Sequence, residues 1–142
     1  MGSGNNRKPG GGFTILEWNE EPKTIEGVKV LYNDTNKRSN DLPAYSNKSS
    51  MYFKRDASGE IVQLRVYDRQ HRAMYDIDIN PKKPHVNKDG TVIPAGVTHI
   101  HEWKVDANGN LVRGRNGRLL TTSEIAKYGK KLEAANEHVK YK

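Results

Sequence analysis

The stretch that decides the fold is Met51–Ile79, MYFKRDASGEIVQLRVYDRQHRAMYDIDI. It holds three short runs rich in β-branched and aromatic residues: Met51 to Lys54, Ile61 to Tyr67, and Ala73 to Ile79. The segments between them, Asp56-Ala-Ser-Gly59 and Asp68-Arg-Gln-His71, are polar turn sequences. An Asp at the head of such a turn hydrogen-bonds its own backbone two residues on. Strand-length runs separated by tight turns read as a meander of three antiparallel strands. Side chains alternate across a strand, so Val62, Leu64 and Val66 share one face, while Gln63, Arg65 and Tyr67 share the other. In the next run Tyr75, Ile77 and Ile79 share a face, and Met74, Asp76 and Asp78 point the opposite way.

Outward from the meander the pattern weakens. Residues 25–32 read as a short strand and residues 33–50 as a long polar loop. Residues 80–97 form an irregular connection longer than a hairpin loop, and long ordered loops tend to carry function. Thr98 to Val105 is a further interior strand. The turn Asp106-Ala-Asn-Gly109 leads into Leu111-Val-Arg113, and Arg113-Gly-Arg-Asn-Gly-Arg118 reads as a basic loop. Thr121-x-x-Glu124 is a capping box that opens a helix. Ile125, Tyr128, Leu132 and Ala135 recur at helical spacing, so one stripe packs on the sheet. The expected fold is α+β: an antiparallel sheet of about five strands with one C-terminal helix packed on it. Residues 1–12 are expected to form a flexible leader or linker, and residues 13–142 a single domain.

Composition narrows the classes. No apolar run approaches the roughly 20 residues of a membrane helix, so no membrane span is expected. The chain has no Cys, which removes disulfides, thiolate metal sites and cysteine nucleophiles. Net charge is +7. It is uneven: residues 13–35 hold two Lys against five Asp/Glu, whereas residues 104–142 hold nine Lys/Arg against four Asp/Glu. Such a surface attracts polyanions, and an acidic partner protein would use the same field.

Chemistry concentrates in two motifs. Asp76 and Asp78 leave one strand face, about 6–7 Å apart along the backbone. His99 and His101 do the same on another strand. If the strands pair with these faces aligned, two carboxylates and two imidazoles converge. The sequence assigns no metal or other cofactor, but a divalent ion such as Zn, Mn or Mg could be held by such a set. Without an ion, the imidazoles could act as general acid and base, oriented by the carboxylates. A solvated sheet face would also alternate polar residues. Arg65 could clamp a phosphate. His85, in the long loop beside Lys82 and Lys83, could complete the site. Tyr67, Trp103, Arg113, Arg115 and Arg118 are candidates for substrate binding, with Trp103 either a base-stacking platform or core. Neither a Gly-rich phosphate loop nor a Gly-x-Ser-x-Gly elbow is present.

The series Leu64-Arg-Val-Tyr-Asp68, Arg72, Asp76-Ile-Asp78 and His99-Ile-His101-Glu-Trp103 resembles the C-terminal toxic domains of bacterial polymorphic toxins, over roughly residues 50–113. The chain departs from that pattern in carrying Gln70-His71 in a turn where such modules often have Gly. The resemblance implies an active-site set of Arg65, Asp76, Asp78, His99 and His101. It further implies a nucleic-acid target, RNA ahead of DNA, and a cognate acidic immunity protein. The module would be a secreted effector working in the target-cell cytoplasm. The contrasting expectation is a non-catalytic basic module that binds nucleic acid or protein.

Overall fold

A computed structural model of the chain describes residues 18–32, 42–46 and 48–142. The expected leader at 1–12, residues 13–17 and much of the expected loop at 33–50 lie outside the described residues. Among the described residues, nine strands and one helix follow in order: β1 (Asn19–Glu20), β2 (Lys29–Tyr32), β3 (Met51–Arg55), β4 (Ile61–Tyr67), β5 (Ala73–Asp78), β6 (His85–Val86), β7 (Val92–Ile93), β8 (His99–Val105), β9 (Leu111–Leu119) and α1 (Thr122–Ala135). Seven strands form one sheet in the order β1-β2-β3-β4-β5-β8-β9, and β6 pairs with β7 apart from it. Only β2 and β3 run parallel within the large sheet; its other pairs are antiparallel. The α+β class and the single C-terminal helix match the sequence reading, with seven strands in place of about five.

Three hairpins share one turn chemistry. In each, an Asp side chain accepts backbone N–H groups two and four residues on: Asp56 from Ser58 and Glu60, Asp68 from Gln70 and Arg72, Asp106 from Asn108 and Asn110. The fourth turn residue takes a positive φ. It is glycine at Gly59 and Gly109, but His71 occupies it at φ 64.

The two sheet faces differ. One carries Val30, Phe53, Leu64, Val66, Ile77 and Ile100 and is covered by Tyr128 and Leu132 of α1. The helix starts as the capping box requires: Thr121 Oγ1 accepts from the Glu124 N–H, and the Glu124 carboxylate accepts from the Thr121 N–H. The opposite face carries Tyr52, Tyr67, Ala73 and Leu111, covered in part by Leu42 and Ala44. That second face also carries the polar motifs.

Two sequence expectations change. Residues 113–118 are not a loop but the middle of β9, one continuous nine-residue strand. Its Gly and Arg content hides the period, because pairing with β8 and not burial of an apolar face holds it. Residues 80–97 are not wholly irregular, because they contain the β6–β7 hairpin.

Candidate functional site

Strand register assembles the site. Across the open face, Tyr52, Arg65, Asp76, His101 and Gly117 are direct cross-strand neighbours from β3 to β9. Two residues along, Lys54, Gln63, Asp78, His99 and Leu119 form a second row. Directly opposed residues of antiparallel strands project to the same side with Cβ atoms about 4.5–5.5 Å apart. The expected meeting of the two motifs on one face is therefore what β5–β8 pairing produces. Depth divides the four groups.

Asp76 lies at the bottom and is fully buried. Its Oδ1 accepts from Arg65 Nε at 2.6 Å, and its Oδ2 from Arg65 Nη2 at 2.9 Å and Arg113 Nε at 2.6 Å. Burial works to raise the Asp76 pKa, but the two guanidinium groups outweigh it and hold the carboxyl below its usual range. Arg65 is likewise interior. Its Nη1 donates to the Leu42 carbonyl, and its guanidinium lies 4.7 Å from the Trp103 ring centroid. Arg65 was expected to meet a phosphate and Asp76 to take part in catalysis. The structure instead places this pair beneath Asp78 and Arg113, each engaged by the other as a bidentate support.

Asp78 stands above them. Its Oδ1 accepts from Gln63 Nε2 at 3.0 Å and its Oδ2 from Arg113 Nη2 at 3.0 Å. The same Oδ2 is 3.6 Å from Nε2 of both His99 and His101. Arg113 is thus fixed by two carboxylates while its side chain remains about a third exposed (36%).

His85 joins from the β6–β7 hairpin. Its ring is 4.7 Å from the His101 centroid and 5.3 Å from that of His99, and one ring nitrogen from each imidazole lies within 4.8 Å of the other two. Three backbone carbonyls set the tautomers. His85 Nε2 donates to Arg115 O at 2.9 Å, His99 Nδ1 to Val97 O at 3.0 Å, and His101 Nδ1 to Gly114 O at 2.9 Å. A carbonyl only accepts, so each contacting nitrogen carries a proton, and in the neutral ring the other nitrogen is the one that keeps a lone pair. Nε2 of His99 is buried with no hydrogen-bond partner. Burial, with Arg113 adding to it, holds the His101 pKa below the ordinary histidine value against the pull of Asp78.

The hairpin is clamped to β9 by side chains that the sequence did not single out. Asn87 Nδ2 donates to Gly117 O at 2.9 Å and Asn87 Oδ1 accepts from Gly117 N at 2.8 Å, so one amide replaces a strand neighbour. Asn116 Oδ1 accepts from Lys88 N at 2.9 Å. Gly117 is required for space: a Cβ there would sit 2.8 Å from His99 Cδ2 and 3.2 Å from His85 Cδ2. The turn sequence Asn87-Lys-Asp-Gly90 was the one available signal for this hairpin.

The remaining candidates separate. Trp103 is half-buried against the cluster around Leu31 and Tyr52. Tyr67 is buried and its hydroxyl donates to Pro43 O at 2.5 Å, so it does not face a ligand. Arg118 belongs to the helix side, paired with Glu102 at 2.8 Å and Glu124 at 2.8 Å, away from the imidazoles. Arg115 is exposed, as are Lys82, Lys83 and Lys88 around the hairpin. A shallow depression of about 380 Å³, lined in part by Lys54, Gln63, Asp78, Asn80 and Lys82, runs beside the carboxylate. Among the described residues no helix is long and apolar enough to cross a membrane. Compared with known protein families, curated proteins and solved structures, the chain matches none.

Proposed function

We propose that this chain is a nuclease that cleaves phosphodiester bonds, RNA ahead of DNA. The observation that carries the reading is the convergence of His85, His99 and His101 beside Asp78 and Arg113 on a face edged with exposed cations. Phosphoryl transfer asks a protein for positioning and for charge stabilisation more than for covalent chemistry. Arg113, held rigid by Asp76 and Asp78, offers a guanidinium to the phosphate. The imidazole cluster is the reacting centre, and the Asp78 carboxylate orients the group that attacks phosphorus. Lys82, Lys83, Lys88 and Arg115 hold the flanking backbone. RNA is preferred because His99 and His101 are recessed behind the half-buried His85, and an unpaired strand can bend a phosphate into such a recess more readily than a duplex.

On this proposal the chain is the toxic module of an interbacterial competition system. It is delivered to the target-cell cytoplasm and neutralised by an acidic immunity protein, for which the +7 charge is complementary. The test is cleavage of RNA and of single-stranded DNA by the purified protein, beside growth on induced expression. Wild type should cut and should arrest growth, and His101→Ala and Asp78→Ala should lose both. Equal inertness of wild type and His101→Ala on both substrates would leave a basic binding module and no enzyme.

A further inference from the structure

We infer that His85, His99 and His101 form a binding site for one divalent transition ion of the zinc class, taken through the unprotonated nitrogen of each ring. Three independent features of the cluster point there.

The first is spacing. An acid and a base that flank a phosphate in line must stand about 6 Å or more apart, because the attacking and leaving oxygens and two hydrogen bonds lie between them. Here a nitrogen from each of three rings lies within 4.8 Å of the others. A tetrahedral ion with Zn–N bonds of about 2.0–2.1 Å separates its ligand atoms by about 3.3 Å. Closing each pair by about 1.5 Å at most needs only small side-chain rotations. The gap suits one ion better than a substrate phosphate.

The second is the tautomer lock. Ligating histidines donate their other ring N–H to a carbonyl or carboxylate, which fixes ring orientation and raises ligand basicity. All three imidazoles do so here, to Arg115, Val97 and Gly114. Two backbone segments supply those acceptors: consecutive residues Gly114 and Arg115 of β9, and Val97 just before β8.

The third is the buried, unpartnered Nε2 of His99. Its side chain is 3% exposed, no donor reaches its lone pair, and Asp78 Oδ2 at 3.6 Å is itself an acceptor. Leaving a buried polar atom without a partner costs about 1–3 kcal/mol. An ion removes that cost. Gly117 keeps the space in which the His99 and His85 rings approach.

Nitrogen ligands select the ion class. Imidazole suits Zn, Cu, Fe and Ni, whereas Mg and Ca take oxygen ligands. Three histidines leave a fourth position, beside Asp78, for water or a phosphate oxygen. The role of the ion there, as Lewis acid toward phosphorus and activator of bound water, rests on the nuclease reading. The binding itself does not.

The test is titration of chelator-stripped, folded protein with Zn²⁺ by calorimetry, with Co²⁺ absorption as a second readout of tetrahedral nitrogen ligation. Wild type should take up one ion per chain. His85→Ala, on the peripheral hairpin, should weaken binding by roughly 100-fold or more, and His99→Ala should do the same. His138→Ala, remote from the cluster, should bind as wild type. Should buried His99→Ala not fold, His85→Ala decides alone. Folded wild type that takes up no Zn²⁺, or a His85→Ala protein that binds equally well, overturns the site. Cleavage on the same samples separates the two claims. Zinc uptake without cleavage retires the nuclease reading and keeps the metal site, whereas chelator-resistant cleavage without uptake does the reverse.

Discussion

Single residues on the open face divide into those that face a ligand and those that hold them. Asp76 belongs to the second group, since its oxygens are engaged by Arg65 and Arg113. Asp76→Asn would leave the buried Arg65 charge without its counter-ion, and breaking a buried pair in this way costs about 3–5 kcal/mol. Urea denaturation of Asp76→Asn against Asp78→Asn separates the two carboxylates. The first should lose several times more stability than the second, whose side chain is 24% exposed. Gly117→Ala is predicted to act on the imidazoles. A methyl group 2.8 Å from His99 Cδ2 must displace that ring, so zinc affinity and cleavage should both fall while circular dichroism stays that of a folded sheet.

Elements explain what the sequence disclosed and what it hid. Alternation in β4, β5 and β8 was legible because each strand buries one face against α1. That is why Asp76, Asp78, His99 and His101 could be set on common faces in advance. Their depth was not legible: the Arg65–Asp76 pair is interior because the short apolar segment Leu42-Pro43-Ala44, set within a polar stretch of sequence, lies over it. Nor was the place of His85, since β6 and β7 are two residues each, bury only Ile93 among their apolar side chains, and are held to β9 by the Asn87 and Asn116 amides.

Turn and cap chemistry at this scale can be measured. His71 occupies a left-handed position that glycine fills in the two sister turns, a conformation costing an ordinary residue about 1–2 kcal/mol. His71→Gly should raise stability by about 0.5–1 kcal/mol after the added unfolded-state entropy. An unchanged or lower denaturation midpoint would contradict it. At the start of α1, hydrogen bonding from Arg118, aided by Thr121 against the effect of burial, holds the Glu124 pKa down at about 2 from 4.5. A depressed folded pKa gives stability that is present above the unfolded value and lost as pH falls through the folded one. Wild type should therefore weaken between about pH 5 and about pH 2 more than Glu124→Gln does. The difference should be no more than about 1 kcal/mol, because Arg118 is over a third exposed (37%) and solvent screens the pair.

At the scale of the whole molecule, one sheet separates two tasks. The helix side supplies the larger apolar core, and the opposite side joins a second, smaller apolar cluster to buried polar groups that bind one another or the backbone. A scaffold covered by helix on one face leaves the other free to hold Arg113 and three imidazoles against rigid strands, with exposed cations around them. If those cations track a phosphate backbone, RNA affinity should fall linearly with the logarithm of salt concentration, and Lys82→Ala with Lys83→Ala should lower the slope by roughly 1 per contact removed. An affinity indifferent to salt would contradict the basic face as the docking surface. The most direct measurement of the reacting centre is RNA cleavage by wild type and His85→Ala, two proteins that should differ only at a half-buried hairpin side chain. The centre described here predicts a loss of about 100-fold or more in the variant, with its thermal unfolding nearly unchanged. A His85→Ala protein that cuts RNA as fast as wild type would contradict it.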